Sequence, residues 1–371
     1  MKTFLLAILF VLLSNVSFSQ SEQSLIERCI QNYIDGTSYN KPESISKAFY
    51  SEANLFLSSK EKPLWIVPIS EYVSWFQKGV KGVSNGRIGK IISIESFNDI
   101  AVAKAEILIP EKKQEFMDMF LLKKIEDDWK IIVKSGISKS SNKSGKKVLF
   151  IVSNAHFYGN STISTGNSFA EIVNAYDTFV NSGYSVDFVS PKGGDIPLAY
   201  INTSDSLQKK YLYNQDFMYA IKNTVSPNEI DYKNYKAVHY IGGGSAMYDV
   251  PENLDIQRIA MQIYEDNNGI ISSVCHGTAG IVNLKTKNGK FLVNGKIVSG
   301  YPDSFEKQDG EYFKHFPFLI QKTIEERGGT FKFAKGNVSY VEQDGRIITG
   351  QSFQSSNGVA LKIIEMIEKN D

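Results

Sequence analysis

Apolar positions change rhythm along this chain, and the changes divide it. From Ser24, "SLIERCIQNYIDG" sets Leu25, Ile26, Cys29, Ile30 and Ile34 at helical spacing and closes on Gly36, a helix stop. "GRIGKIISIESFNDIAVAKAEILI" and "FMDMFLLKKIEDDWKIIVKSGIS" then alternate apolar and polar residues on both sides of Phe97-Asn98-Asp99 and Glu126-Asp127-Asp128, which predicts two hairpins. A helix followed by long meandering strands predicts an α+β domain with the helix covering a curved sheet. "SKSSNKSGKK" contains no apolar residue and reads as a solvated linker. The expected boundaries are residues 21–138 for the first domain, 139–146 for the linker and 147–371 for the second domain.

Past Lys147 the strands become continuous apolar runs, "VLFIVS", "YSVDFVS", "AVHYIGG" and "GIISSV", separated by helical patterns at Phe169 to Asn181 and Leu254 to Asp266. Unbroken apolar strands between helices predict an α/β domain, a flavodoxin-like parallel sheet sandwiched by helices. "KFLVNGKIVSG" and "VSYVEQDGRIITG" carry Asn294-Gly295 and Asp344-Gly345 and read as two further hairpins, and Val359 to Lys369 as a closing helix.

Before Ser21, Lys2 precedes an apolar core from Phe4 to Leu13 and small residues at Ser17 and Ser19. This pattern predicts a secretory signal cleaved near Ser19, and therefore an exported protein, periplasmic or extracellular. The apolar core is short for a membrane span, and the mature chain is expected off the membrane.

Lys and Arg (41) nearly balance Asp and Glu (40), which argues against a nucleic-acid partner and fits a small-molecule substrate. The four histidines, His156, His239, His276 and His315, lack ligand spacing, so no metal is expected. The first block has no histidine, and its Trp65, Trp75, Phe76 and Trp129 read as core. An accessory role or homodimerisation is the expectation for it. Of the two cysteines, Cys29 lies on a helical apolar stripe, whereas Cys275 ends an apolar strand beside His276, so the two have different jobs rather than a shared disulfide.

Ligands of open α/β sheets gather at the carboxyl ends of the strands, where Cys275 stands. A helix opening at His276-Gly277 would favour thiolate over thiol, and the glycines permit a strand-turn-helix elbow. The plain alternative is a small buried hydrophobe. Gly242, Gly243 and Gly244 end another strand and offer backbone N–H groups to an oxyanion, although such turns are often mere punctuation. Glu171 opens a helix, where an acid also simply complements the dipole. Tyr158 and the polar run "GNSTISTGNS" follow the first strand of this domain and form either a wall of the site or an ordinary solvated loop. His156 is a second candidate to face the cleft, and His239 reads as a core residue.

The first domain resembles the nuclear-transport-factor-like cone, in its lumazine-binding branch, on the segment "FMDMFLLKKIEDDWKIIVK". The second resembles the ThiJ/PfpI superfamily, related to the class I glutamine amidotransferase domain, in its glyoxalase III and heat-shock chaperone branch. "TGNSFAE", the "GG" strand end before "VPEN", "SVCHGTAG", "NGKIVSGYPDSFE" and "DGRIITGQS" occur in family order. The resemblance implies a cysteine nucleophile at Cys275, its following histidine at His276, a third triad member at Glu306 that fixes the His276 tautomer, and Glu171 hydrogen-bonded to the cysteine. Gly243 and Gly244 become oxyanion or substrate donors. With those placements, a buried Glu171 would donate a proton to the thiolate, one carboxyl neutral and the other charged. One departure stands out: where this chain has Gly244, in "GGGS", many members of the branch carry a histidine, so any contact that imidazole makes with substrate is lost. The implied activity is cofactor-independent conversion of a 2-oxoaldehyde such as methylglyoxal to a hydroxy acid. A cysteine amidase or peptidase, and a stress chaperone or ligand-binding protein without turnover, are the alternatives.

Overall fold

The computed structural model describes residues 21–370 apart from residues 60 and 337; the expected signal, residues 1–20, lies outside them. The described residues contain two six-stranded sheets, one from the segment before Ser141 and one from the segment after it. No helix among them is long and apolar enough to cross a membrane.

The first sheet is built from β1 (Phe49–Leu57), β2 (Trp65–Pro68), β3 (Ile88–Phe97), β4 (Ile100–Ile109), β5 (Gln114–Ile125) and β6 (Asp128–Ser140) in the order β2-β1-β6-β5-β4-β3. Both predicted hairpins form, with Asn98 (φ 53°) and Glu126 (φ 56°) supplying the left-handed residue of each turn. Helices α1 (Glu22–Ser38), α2 (Pro42–Ala48) and α3 (Ile69–Ser74) accompany it. Ser21 caps α1 by accepting from the Ser24 N–H, and of the stripe read from sequence Ile26, Cys29, Ile30 and Ile34 are buried together with Tyr33, while Leu25 is half-buried. Tyr33 on α1 packs edge-on against Phe120 of β5 at 5.2 Å, so the helix covers the sheet as expected.

The second sheet comprises β7 (Lys147–Ile151), β9 (Ser185–Val189), β11 (Tyr235–Tyr240), β12 (Ile270–Val274), β15 (Val341–Asp344) and β16 (Ile347–Gly350), ordered β15-β16-β12-β11-β7-β9. All but the edge strand β15 run parallel, and the chain winds outward in both directions from the β7/β11 junction, the flavodoxin order. Short ladders β8 (Asn167–Ser168) with β10 (Leu198–Ala199), and β13 (Ile297–Val298) with β14 (Thr330–Phe331), lie outside it.

Alternate residues of each strand feed opposite faces of this sheet. Leu149 and Ile151 join a core with Ile256, Ile259 and Ile263 of α7 (Leu254–Glu265) and with Ile320 and Ile324 of α8 (Ile320–Glu326). Val148 and Phe150 join the other core, with Phe169 and Ile172 of α4 (Phe169–Asn181) and Val359 and Ile363 of α9 (Ser356–Asn370). Helices α5 (Ser206–Leu212) and α6 (Gln215–Lys222) add Tyr211 and Phe217 to it.

One predicted hairpin does not form. In "KFLVNGKIVSG", Leu292 and Val293 are both buried side by side and Asn294-Gly295 makes a turn with φ 71° at the glycine. Ile297 and Val298 then pair in parallel with Thr330 and Phe331 rather than folding back. Two adjacent apolar side chains both driven into the core cannot alternate across a ribbon. "VSYVEQDGRIITG" does pair, Asp344 opposite Ile347, with Gly345 at φ 59° in the turn.

Candidate active site

Strand β12 delivers Cys275 to the carboxyl edge of the sheet. The residue takes φ 56°, a left-handed conformation that costs a non-glycine residue energy and survives only where surrounding packing enforces it. The enforcement is visible in the 3-10 turn Cys275–Ile281 that follows. A Cβ on Gly277 would lie 2.3 Å from the Tyr240 carbonyl oxygen, and one on Gly280 2.3 Å from the Tyr240 ring. Both glycines therefore let the turn press onto the end of β11, and the cysteine takes up the remaining bend.

His276 Nδ1 stands 3.5 Å from Cys275 Sγ, and its Nε2 is 2.7 Å from Glu306 Oε1. That carboxyl group holds the proton on Nε2 and leaves the Nδ1 lone pair facing the sulfur. The Tyr312 hydroxyl donates to Glu306 Oε2 at 3.2 Å, and the imidazole stacks on Tyr301 at 4.5 Å.

Glu171 enters from α4. Ser168 caps this helix by accepting the Glu171 N–H at 3.4 Å, but the Glu171 side chain turns inward instead of facing solvent at the dipole. It is 2% exposed, accepts the Gly242 N–H at 2.8 Å and stands beside Cys275. Burial raises its pKa to about 7, opposed by the Gly242 N–H, His276 and the thiol.

The thiol departs from the sequence expectation. Burial, then the Glu171 carboxylate, push its pKa well above the ordinary cysteine value, and the His276 backbone N–H only partly offsets them. The segment after Cys275 is a short 3-10 turn, so no long helix dipole opposes the loss of water around the sulfur. Burial and the neighbouring carboxylate thus favour the thiol over the thiolate that the strand-turn-helix elbow predicts.

The glycine run divides its labour. Gly242 gives its N–H to Glu171, and a Cβ there would lie 2.6 Å from Glu171 Oε2. Gly243 (φ 97°) caps the 3-10 turn Gly244–Met247, so the N–H groups of Gly243 and Gly244 have no acceptor inside that turn. The four residues expected from the resemblance thus form one cluster, with Glu171 and His276 beside the Cys275 sulfur, Glu306 behind His276, and two further backbone donors next to Gly242.

Of the other candidates, His239 is a core residue: it is fully buried, its Nδ1 lies 3.0 Å from Ser272 Oγ, and burial holds its pKa down to about 3. His156 is exposed. Tyr158 is buried and forms a wall, its ring 5.2 Å from Tyr312, 6.0 Å from Phe316 and 6.2 Å from Tyr248. Sequence reading missed Tyr301, Tyr312 and Phe316; the aromatic density of "GEYFKHFPF", soon after Glu306, was the available signal.

Comparison with known proteins bears on both units. Residues 21–135 match the family model described as putative lumazine-binding, and residues 162–366, more than half of the chain, match the DJ-1/PfpI family model. The glutathione-independent glyoxalase hsp3102 of Schizosaccharomyces pombe is 30% identical over 230 residues, which is 58% of this chain and 95% of that protein. Among solved structures, the Rapid Encystment Protein 24 KDa of Francisella tularensis is 31% identical with a TM-score of 0.56, covering 59% of this chain and 98% of its own. Glyoxalase III of Candida albicans is 25% identical with a TM-score of 0.54, covering 60% and 97%.

Proposed function

Because the chain belongs to the DJ-1/PfpI family and is homologous to glutathione-independent glyoxalases, we propose that it converts a 2-oxoaldehyde and water to a 2-hydroxy acid without a cofactor. The observation that carries this reading is the pair of separate proton acceptors on one sulfur, Glu171 on one side and the His276–Glu306 pair on the other. Isomerising a 2-oxoaldehyde requires two proton movements, and one acceptor serves each.

Cys275 adds to the aldehyde carbon; as the S–C bond forms, Glu171 takes the thiol proton and passes it to the aldehyde oxygen, giving a hemithioacetal. The N–H groups of Gly243 and Gly244 stabilise charge developing on that oxygen. His276 Nδ1 then removes the proton from the former aldehyde carbon, and the electron pair moves onto the neighbouring ketone oxygen to form an enediolate. The His276 proton returns to the second carbon while the hydroxyl proton on the first carbon's oxygen passes to the second carbon's oxygen, which yields a thioester: the first carbon has been oxidised and the second reduced, with no external oxidant. Water releases the hydroxy acid and restores the thiol.

The first step needs Glu171 ionised, so turnover falls as pH drops below about 7. The test is methylglyoxal turnover in the absence of glutathione, scored for lactate with the wild type and with Cys275→Ala. Lactate from the wild type alone supports the proposal. No lactate from the wild type, or an acyl-enzyme burst with amide substrates instead, overturns it in favour of a non-turnover role or a hydrolase.

A further inference from the structure

The glycine at 244 leaves room that another residue fills. A Cβ built on Gly244 would lie 2.5 Å from the Tyr158 hydroxyl and 2.5 Å from Thr165 Oγ1. Any side chain here would displace one or both of those oxygens. Two residues earlier, a Cβ on Gly242 would lie 3.0 Å from the Cys275 Cβ, so the same glycine run touches the reactive sulfur's side chain and the tyrosine hydroxyl.

Local structure fixes Tyr158 in this place. It sits in a loop closed on itself by the Tyr158 N–H to the Ile163 carbonyl (3.0 Å) and the Thr165 N–H to the His156 carbonyl (2.8 Å). Its ring is held among Tyr312, Phe316 and Tyr248, and two of these rings reach the chemistry: Tyr312 donates to Glu306, and Phe316 packs edge-on against His276 at 5.9 Å. Tyr200 stands beside Tyr158: burial first, and then Tyr158, Cys275 and Glu171, oppose its ionisation, so both tyrosines border the site. Tyr200 holds φ 57°, a second strained residue at the edge of the site. Thr165 Oγ1 is buried and, among the described residues, without a hydrogen-bond partner, which leaves a polar group beside Tyr158 with unused bonding capacity.

Resting on the glyoxalase reading, we propose that the Tyr158 hydroxyl donates a hydrogen bond to the substrate's second carbonyl oxygen, the ketone of the 2-oxoaldehyde, and that the clearance at Gly244 is what admits it. Tyr158 stands beside Tyr200, and its hydroxyl is flanked by Thr165. When the electron pair moves from the former aldehyde carbon, negative charge develops on the ketone oxygen, which the Gly243 and Gly244 N–H groups, assigned to the aldehyde oxygen, do not serve. A fixed phenol aimed at that position stabilises the enediol in the transition state more than the bound substrate, which raises kcat rather than lowering KM.

The experiment compares methylglyoxal turnover by the wild type, Tyr158→Phe, Gly244→Ala and the double variant, with thermal midpoints and near-ultraviolet circular dichroism as folding controls. Tyr158→Phe keeps the ring packing and should lower kcat roughly tenfold to hundredfold with KM changed less than about threefold. Gly244→Ala should lower kcat by displacing the same hydroxyl, and in the double variant the two losses should not add. A Tyr158→Phe enzyme within twofold of wild-type kcat, or fully additive losses, overturns the assignment while leaving the glyoxalase reading intact. A wild type with no turnover overturns that reading and this assignment with it. Should Gly244→Ala fail to fold, Tyr200→Phe replaces it, with a smaller loss in kcat expected and no loss counting against the tyrosine pair.

Discussion

The two cysteines of this chain, one in each unit, share more than their surroundings suggest. Both are free and buried, and burial opposes ionisation of both, with Cys29 pushed up to about 12. Cys29 donates its S–H to the Ala48 carbonyl at 3.2 Å, a group that hydrogen-bonds a proton but does not carry it away. Cys275 meets Glu171 and the Nδ1 of His276, both of which accept protons. Burial therefore does not mark a nucleophile, and neither does a shifted thiol. What separates the two sulfurs is a partner able to take the proton as the sulfur reacts, together with the left-handed backbone that presents one of them at a strand end.

The largest expected effect breaks the comparison outright. Cys275→Ala should lower lactate formation from methylglyoxal by about a thousandfold or more, because covalent attachment is lost altogether. Cys29→Ala, assayed alongside, should remain within twofold of the wild type.

Glu171→Gln comes next and removes the proton acceptor without removing the Gly242 contact. Turnover should drop by about 10²-fold to 10⁴-fold. Stability should move in the opposite direction. Folding raises the Glu171 pKa from 4.5 to about 7, so the folded state holds a proton that the unfolded state has released between those values. Stability from this group is thus lost as pH rises through that window, by roughly 3 kcal/mol in all, and Glu171→Gln should recover it at pH 8 in chemical denaturation.

Glu306→Gln sharpens the comparison on the other side of the sulfur. Loss of the charge that holds the His276 proton on Nε2 should lower kcat about a hundredfold with little change in thermal midpoint. The smallest effect belongs to Cys29→Ala, which should cost about 1 kcal/mol of stability in urea titration, the value of a small buried side chain, with no change in the pH profile of turnover.

Much of this arrangement was legible in the sequence because its signals are local. The apolar run ending at Cys275 located a parallel strand, and the helical pattern at Phe169 to Asn181 located α4. Glu306 became a candidate only through family resemblance, since nothing in its own neighbourhood tells a histidine's partner from a surface acid. The "KFLVNGKIVSG" segment misled because an Asn-Gly turn signals reversal but not which strand the chain joins afterwards. The protonation state of the sulfur was also hidden: a strand end before glycines suggests an activating dipole, while the opposing burial and the approach of Glu171 are tertiary facts. The same holds for the wall of Tyr158, Tyr312 and Phe316, whose members lie far apart in the chain and meet only in the folded unit.

The most direct measurement of the contrast between the two sulfurs is the rate of iodoacetamide alkylation at Cys275 and Cys29, followed site by site by mass spectrometry from pH 5 to 10 in the wild type and in Glu171→Gln. The account predicts that Cys275 labelling climbs through about pH 7 in the wild type, that this limb disappears in Glu171→Gln, and that Cys29 stays unlabelled across the same range. Identical profiles at the two cysteines, or a Cys275 limb near pH 7 that survives Glu171→Gln, would contradict it.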